Sequence, residues 1–218
     1  MSSHSIQNSL CRSFQTAHRA DQPYRHWYLS EVLPEPTCQA ITELPLKPPV
    51  IEDTQGRRET HNASRQFFNA ETNSQFSVCK HTAEAFQSSE VVATIEQQFQ
   101  VDLSNTHLRL EYCLDTDGFW LQPHTDLGVK KFTMLLYLST DPGHENWGTD
   151  VFADADTLAE SVPGHFNTAL VFVPAQNTWH GFERRTITGL RRSLIINYVT
   201  HEWRARHELS YPHQAVKP

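Results

Sequence analysis

Residues 106–138 read THLRLEYCLDTDGFWLQPHTDLGVKKFTMLLYL, and the period of this stretch decides the architecture. Leu108, Leu110 and Tyr112 alternate with Arg109 and Glu111. Further on, Phe132, Met134, Leu136 and Leu138 alternate with Thr133, Leu135 and Tyr137. Successive side chains of an extended backbone point to opposite faces, so period two predicts two strands, here separated by a turn at 115–118. Working toward the C-terminus, further short strands are predicted at 168–173, 179–184 and 191–199, with turns at 141–143, 163–164 and 188–189. Short strands at roughly even spacing predict a sandwich or jelly roll.

Upstream the period changes. Phe86, Val91, Val92, Ile95 and Phe99 recur at close to helical spacing between 82 and 100, which predicts a polar helix with one apolar stripe covering the sheet. A strand is expected within 24–33, where Tyr24, Trp27 and Tyr28 precede Pro34, and a short helix over 38–44, closed by Pro45. Residues 45–75 read as a long irregular segment. Residues 1–23 are polar and read as a loosely packed arm. With no repeat or linker to divide the chain, 24–218 is expected to be a single domain with its β core at about 106–200. The fold class is α+β with a mainly β core: a jelly roll with N-terminal helices packed on the sheet.

Composition narrows the function. The net charge of −7 lacks the cationic surplus that binding a nucleic-acid backbone requires, so nucleic acid is not an expected partner. No apolar run is long enough for a bilayer and no signal-peptide core is present, so a soluble, cytoplasmic protein is the expectation. The four cysteines are widely spaced with no CxxC pair, which reads as reduced thiols rather than a zinc ribbon or a disulfide framework. No GxSxG elbow or glycine-rich phosphate loop is present, so hydrolase and nucleotide-binding chemistry have no support.

The chemistry-bearing residues lie in the β half. His124-Thr125-Asp126 puts two ligand-type side chains on one face of an extended backbone, and His180 opens another predicted strand. Two imidazoles and a carboxylate can hold one face of an octahedral iron(II) and leave three positions open, the facial arrangement of non-haem iron oxygenases. Gly189-Leu190-Arg191-Arg192-Ser193 leads into the apolar Leu194-Ile195-Ile196, with Arg191 and Ser193 sharing one face. A dicarboxylate chelating the iron through one end needs a cation for the other, and an arginine fork binds a carboxylate in bidentate fashion.

Together, His124-Thr125-Asp126, His180 and Gly189-Leu190-Arg191-Arg192-Ser193-Leu194 resemble the HxD…H…RxS signature of the iron(II)- and 2-oxoglutarate-dependent dioxygenase superfamily, particularly its prolyl-hydroxylase-like branch. The resemblance covers about 106–200 and extends to Phe132–Leu138 and Ala169–Pro174. It departs at Trp147-Gly148-Thr149-Asp150, where relatives often carry paired glycines.

The resemblance implies a double-stranded β-helix, the cupin-like form of the jelly roll. It implies His124, Asp126 and His180 as iron ligands that carry the catalysis. Arg191 is implied as the anchor of the distal 2-oxoglutarate carboxylate, assisted by Ser193 and Tyr137, with Tyr112 as a further pocket residue. It implies Fe(II), 2-oxoglutarate and O2, with ascorbate as a candidate reductant, and a small-molecule or peptidyl substrate that is hydroxylated as succinate and carbon dioxide leave. Asp126 favours hydroxylation over halogenation, because related halogenases have Gly or Ala there. Arg57, Arg58 and Arg65 are candidates for a lid that meets a polar or anionic substrate. Two alternatives stay open: a cupin-like sugar isomerase or epimerase, for which an HxH plus Glu set is expected, and a non-catalytic jelly-roll binding module.

Overall fold

The computed structural model describes residues 2–57, 65–126 and 128–217. In it the two alternating stretches are β4 (His107–Asp115) and β6 (Lys130–Tyr137), and β11 (Arg191–Val199) lies between them, antiparallel to both. Preceding them are α1 (Ser3–Gln15), β1 (His18–Ala20), β2 (His26–Leu29), α2 (Glu35–Thr42), β3 (Arg65–Phe67), α3 (Ala70–Gln75), α4 (Ser77–Gln87) and α5 (Ser89–Phe99). The remaining strands are β5 (Leu121–His124), β7 (Asp150–Phe152), β8 (Leu158–Ser161), β9 (Thr168–Phe172) and β10 (His180–Phe182).

The larger sheet has the order β1-β2-β9-β6-β11-β4-β3 and the smaller one β5-β10-β7-β8. From β4 onward the chain moves back and forth between them, so that β4, β6, β9 and β11 build one wall and β5, β7, β8 and β10 the other. All pairings are antiparallel, and this is the jelly roll expected from the spacing.

Alternation sorts the larger sheet into two faces. Leu110, Tyr112, Met134, Leu136, Leu194 and Ile196 point outward, into one apolar cluster with the helices. Leu135, Tyr137, Leu170, Phe172 and Ile195 point inward and meet Val151 and Val162 from the smaller-sheet side. Phe99 sits in the helix–sheet layer, its ring 5.5 Å from Phe14 on α1, 5.0 Å from Trp27 on β2 and 5.5 Å from Phe132 on β6.

The N-terminal half differs from its sequence reading in several places. Residues 3–15 are not an arm but a helix. Ser2 accepts from the backbone N–H of Ser5 as N-cap, and Ile6, Leu10 and Phe14 are fully buried at four-residue spacing. The single helix expected over 82–100 is two, α4 and α5, because Ser88 leaves helical geometry and caps the second by accepting from Val91. The segment 45–75 holds β3 and α3, the latter started by an Asn69/Thr72 capping box. The short helix begins at Glu35 rather than 38, with Pro36 near its start where no backbone donor is needed. No helix among the described residues is long and apolar enough to cross a membrane. All four cysteines are free thiols, and burial pushes those of Cys38 and Cys79 up to about 12.

Phe99 joins four elements, so Phe99→Ala is expected to cost about 3–5 kcal/mol, the range for removing a buried aromatic ring. Urea denaturation measures this, and a loss below about 1 kcal/mol contradicts the packing described.

Candidate metal centre

Histidine 124 ends β5 and His180 begins β10, and the two are cross-strand partners with ring centroids 4.3 Å apart. Gly181 makes this pairing possible. A Cβ there would lie 2.8 Å from the Leu121 carbonyl oxygen, so any larger residue pushes β10 away from β5. Asp126 follows two residues after His124 and turns into the same space. One ligand-type atom from each of His124, Asp126 and His180 lies within 4.8 Å of the others, a set able to hold a metal ion.

Each of the three is oriented by a partner of its own. His124 Nδ1 lies 2.9 Å from the Gln122 carbonyl and His180 Nδ1 lies 3.0 Å from the Thr178 carbonyl. A carbonyl only accepts, so both rings carry their proton on Nδ1 and present an Nε2 lone pair. Burial pushes the His180 imidazole down to about 4 against the pull of Asp126, which keeps the ring neutral and able to ligate at neutral pH. Asp126 accepts from Lys130 Nζ on Oδ1 and from Thr133 Oγ1 on Oδ2, both at 2.6 Å. Burial alone raises its carboxyl, but Lys130, His180 and the two hydrogen bonds outweigh that and hold it well below the usual carboxylate range.

The three ligand-type residues line a cavity of about 380 Å³ between the sheets. Leu121, Leu135, Phe182 and Ile195 supply apolar wall, while Arg191 and Ser193 add a polar end. Ser193 Oγ is buried and has no hydrogen-bond partner among the described residues, so a donor stands ready for a ligand's acceptor. Arg191 is buried but is not an isolated cation. Its Nη1 donates to Asp115 Oδ2 at 2.6 Å, Nε to the Trp147 carbonyl at 2.7 Å and Nη2 to the Gly148 carbonyl at 3.1 Å. Its guanidinium also lies 4.6 Å from the Phe182 ring and 5.6 Å from that of Phe119. Three of five N–H groups are thereby used and two are left for a carboxylate, so donor set and shape suit a small dicarboxylate reaching from the metal ligands.

Other expected residues fall differently. Tyr137 is buried behind the cavity wall and donates to Thr149 Oγ1 at 2.9 Å, so it meets the cavity through Thr149. Tyr112 is on the outer face of β4, in the helix-side cluster, and does not reach the cavity; its phase is that of Leu108 and Leu110, which point to the helices. Arg57 is exposed and lines the cavity, and Arg58 is outside the described residues. Arg65 is no lid residue: its side chain is 9% exposed, with Nε 3.1 Å from Glu111.

Sequence reading missed Asp115, Lys130, Thr133 and Asn197. Thr133 shares a phase with Leu135 and Tyr137, and Asn197 with Arg191 and Ser193. For Thr133 and Asn197 a polar residue on the inward phase of an otherwise apolar strand was the available signal.

No protein-family model matches the chain, and no curated protein matches its sequence. Solved structures do match its shape. A prolyl-4-hydroxylase from Pseudomonas putida superposes with a TM-score of 0.54 at 17% identity, covering 89% of this chain and 98% of that one. A prolyl hydroxylase from Trichoplax adhaerens, in complex with a hypoxia inducible factor oxygen degradation domain peptide fragment, gives 0.56 at 11% identity over 93% of both chains. HygX from Streptomyces hygroscopicus, with nickel and 2-oxoglutarate bound, gives 0.51 at 15% identity over 88% of this chain and 90% of that one.

Since Arg191 is buried, Asp115→Ala leaves a guanidinium without its counter-charge and is expected to cost about 3–5 kcal/mol in a denaturant titration. An unchanged midpoint contradicts the pairing. These superpositions cover most of both chains, and the chain has the double-stranded β-helix fold of these prolyl-hydroxylase structures.

Proposed function

We propose that the protein is a non-haem iron(II)- and 2-oxoglutarate-dependent dioxygenase that hydroxylates a small-molecule or peptidyl substrate in the cytoplasm. The observation that carries this reading is that two imidazoles and one carboxylate, each with its own orienting partner, converge within 4.8 Å in the same cavity as Arg191 and Ser193. In this reading His124, Asp126 and His180 hold the metal. Nitrogen and carboxylate ligands on one face, with no thiolate among them, suit iron(II). When bound, that group supplies O2 activation coupled to oxidative decarboxylation of 2-oxoglutarate, with ascorbate as a candidate reductant.

The chain's own residues do the rest. His124 and His180 keep Nε2 directed at one point because the Gln122 and Thr178 carbonyls hold their Nδ1–H groups. Arg191 offers its two remaining N–H groups, and Ser193 its unpartnered hydroxyl, to the distal carboxylate of 2-oxoglutarate. Because Asp115 already offsets the Arg191 charge, this carboxylate is held more by hydrogen bonding than by net charge. Leu121, Leu135, Phe182 and Ile195 exclude water from the space where a substrate C–H bond is presented. Exposed Arg57 and half-buried Trp203 mark the open end through which the substrate enters.

Anaerobic titration with Fe(II) and 2-oxoglutarate tests the reading. A weak visible charge-transfer band is expected at one iron per chain, followed in air by succinate release when a substrate is supplied. Asp126→Ala and His180→Ala are each expected to abolish both iron retention and succinate formation. Arg191→Ala is expected to retain iron while raising the KM for 2-oxoglutarate at least tenfold, about 1.4 kcal/mol of lost binding. Full iron stoichiometry in both ligand variants rejects the assignment.

A further inference from the structure

The two oxygens of Asp126 have partners of different kinds. Lys130, 20% exposed along its side chain, takes Oδ1, while Thr133, buried in the sheet, takes Oδ2. Behind Thr133 the hydrogen bonding continues across three adjacent strands. Thr133 on β6 is the cross-strand partner of Asn197 on β11, and Asn197 that of Arg109 on β4. Asn197 Nδ2 donates to Thr133 Oγ1 at 3.0 Å, and Arg109 Nη1 donates to Asn197 Oδ1 at 3.3 Å. Arg109 is itself locked, with Glu208 and Glu111 each accepting at 2.6 Å and the rings of Phe67 and Trp203 each 4.9 Å from the guanidinium.

Every donor in this row points toward Asp126, and the direction follows from proton counting. Arginine only donates, so the amide oxygen of Asn197 faces Arg109 and its NH2 group faces Thr133. The Thr133 oxygen then receives a hydrogen bond, which leaves its single proton for Asp126. Asp126 itself lies beyond the end of β5, where the torsion that turns a carboxylate is broad and two-fold. A long, partly exposed lysine cannot set that torsion; a threonine fixed within a sheet can.

We propose that Arg109, Asn197 and Thr133 are positioning residues for Asp126: a row across β4, β11 and β6 that fixes the angle at which its carboxylate meets the metal. This rests on the metal-centre reading above. Lys130 has the opposite role, as a cation that neutralises the carboxylate and competes with a divalent ion for it. Outer partners of metal ligands are typically worth 10–100-fold in metal affinity.

Redox-stable Co(II), titrated calorimetrically and followed by its visible ligand-field spectrum, tests this on the full chain, with thermal unfolding as the check on folding. Thr133→Val keeps shape and removes the hydroxyl; a 10–100-fold weaker Kd and an altered spectrum are expected, with Thr133→Ser restoring both to within about threefold. Asn197→Asp, close in shape but able only to accept, draws the Thr133 proton away from Asp126 and is expected to match Thr133→Val. It carries the decision if Thr133→Val does not fold. Lys130→Met is expected to leave Co(II) binding unchanged or tighter. Wild-type Kd and spectrum in Thr133→Val and Asn197→Asp overturn the row, as does equal weakening by Lys130→Met, which reduces the effect to the loss of any hydrogen bond. Failure of the wild-type chain to bind Co(II) instead overturns the metal-centre reading and the row with it.

Discussion

Everything in the site depends on β11 being buried on both faces between β4 and β6. Its nine residues pair with β4 along their whole length and with β6 from Ser193 onward. Leu194, Ile196 and Tyr198 are thereby committed to the helix layer and Arg191, Ser193, Ile195 and Asn197 to the interior. A slip of one residue exchanges the two sets, placing a guanidinium and an amide among the helices and three large apolar side chains in the cavity. The cost of that exchange is what makes the register unique, and the register aligns Thr133, Asn197 and Arg109 in one row.

The two faces of this sheet have separate tasks. The outer one, with α1, α4 and α5, is mainly apolar and carries most of the burial that stabilises the chain. The inner one is laced with charge: Arg191 with Asp115, Arg109 with Glu111 and Glu208, Lys130 with Asp126. Buried ion pairs of this kind seldom outperform apolar packing of the same volume, because desolvation consumes much of the attraction. Their presence is understood through what they orient rather than through stability. Arg191 keeps a fixed attitude in the cavity, and Asp126 keeps one angle.

The strands and the HxD pair were readable because period two is a local property. Tyr112 was legible as well: its phase with Leu108 and Leu110 already assigns it to the outer face, and only analogy drew it toward the pocket. The N-terminal helix was hard to read because its buried face rests on Ile6, Leu10 and Phe14 in an otherwise polar segment. The division of α4 from α5 turns on one serine whose capping role exists only once the chain bends there. Arg65 looked like part of a solvated basic stretch, and its partner Glu111 is 46 positions away in the chain. A pairing of that range leaves no periodic trace.

The sequence by itself determined which residues face the same way, because alternation along an extended backbone requires no partner. It therefore specified a β core, a His124/Asp126 pair on one face and an Arg191/Ser193 pair on another strand. Only the tertiary structure decided which strands lie side by side, and with that the meeting of His180 with His124, the pairing of Arg191 with Asp115 and the row behind Asp126. These contacts join residues tens of positions apart, and they form because the helix layer and the antiparallel register bring these buried polar groups to the partners that meet their hydrogen bonds.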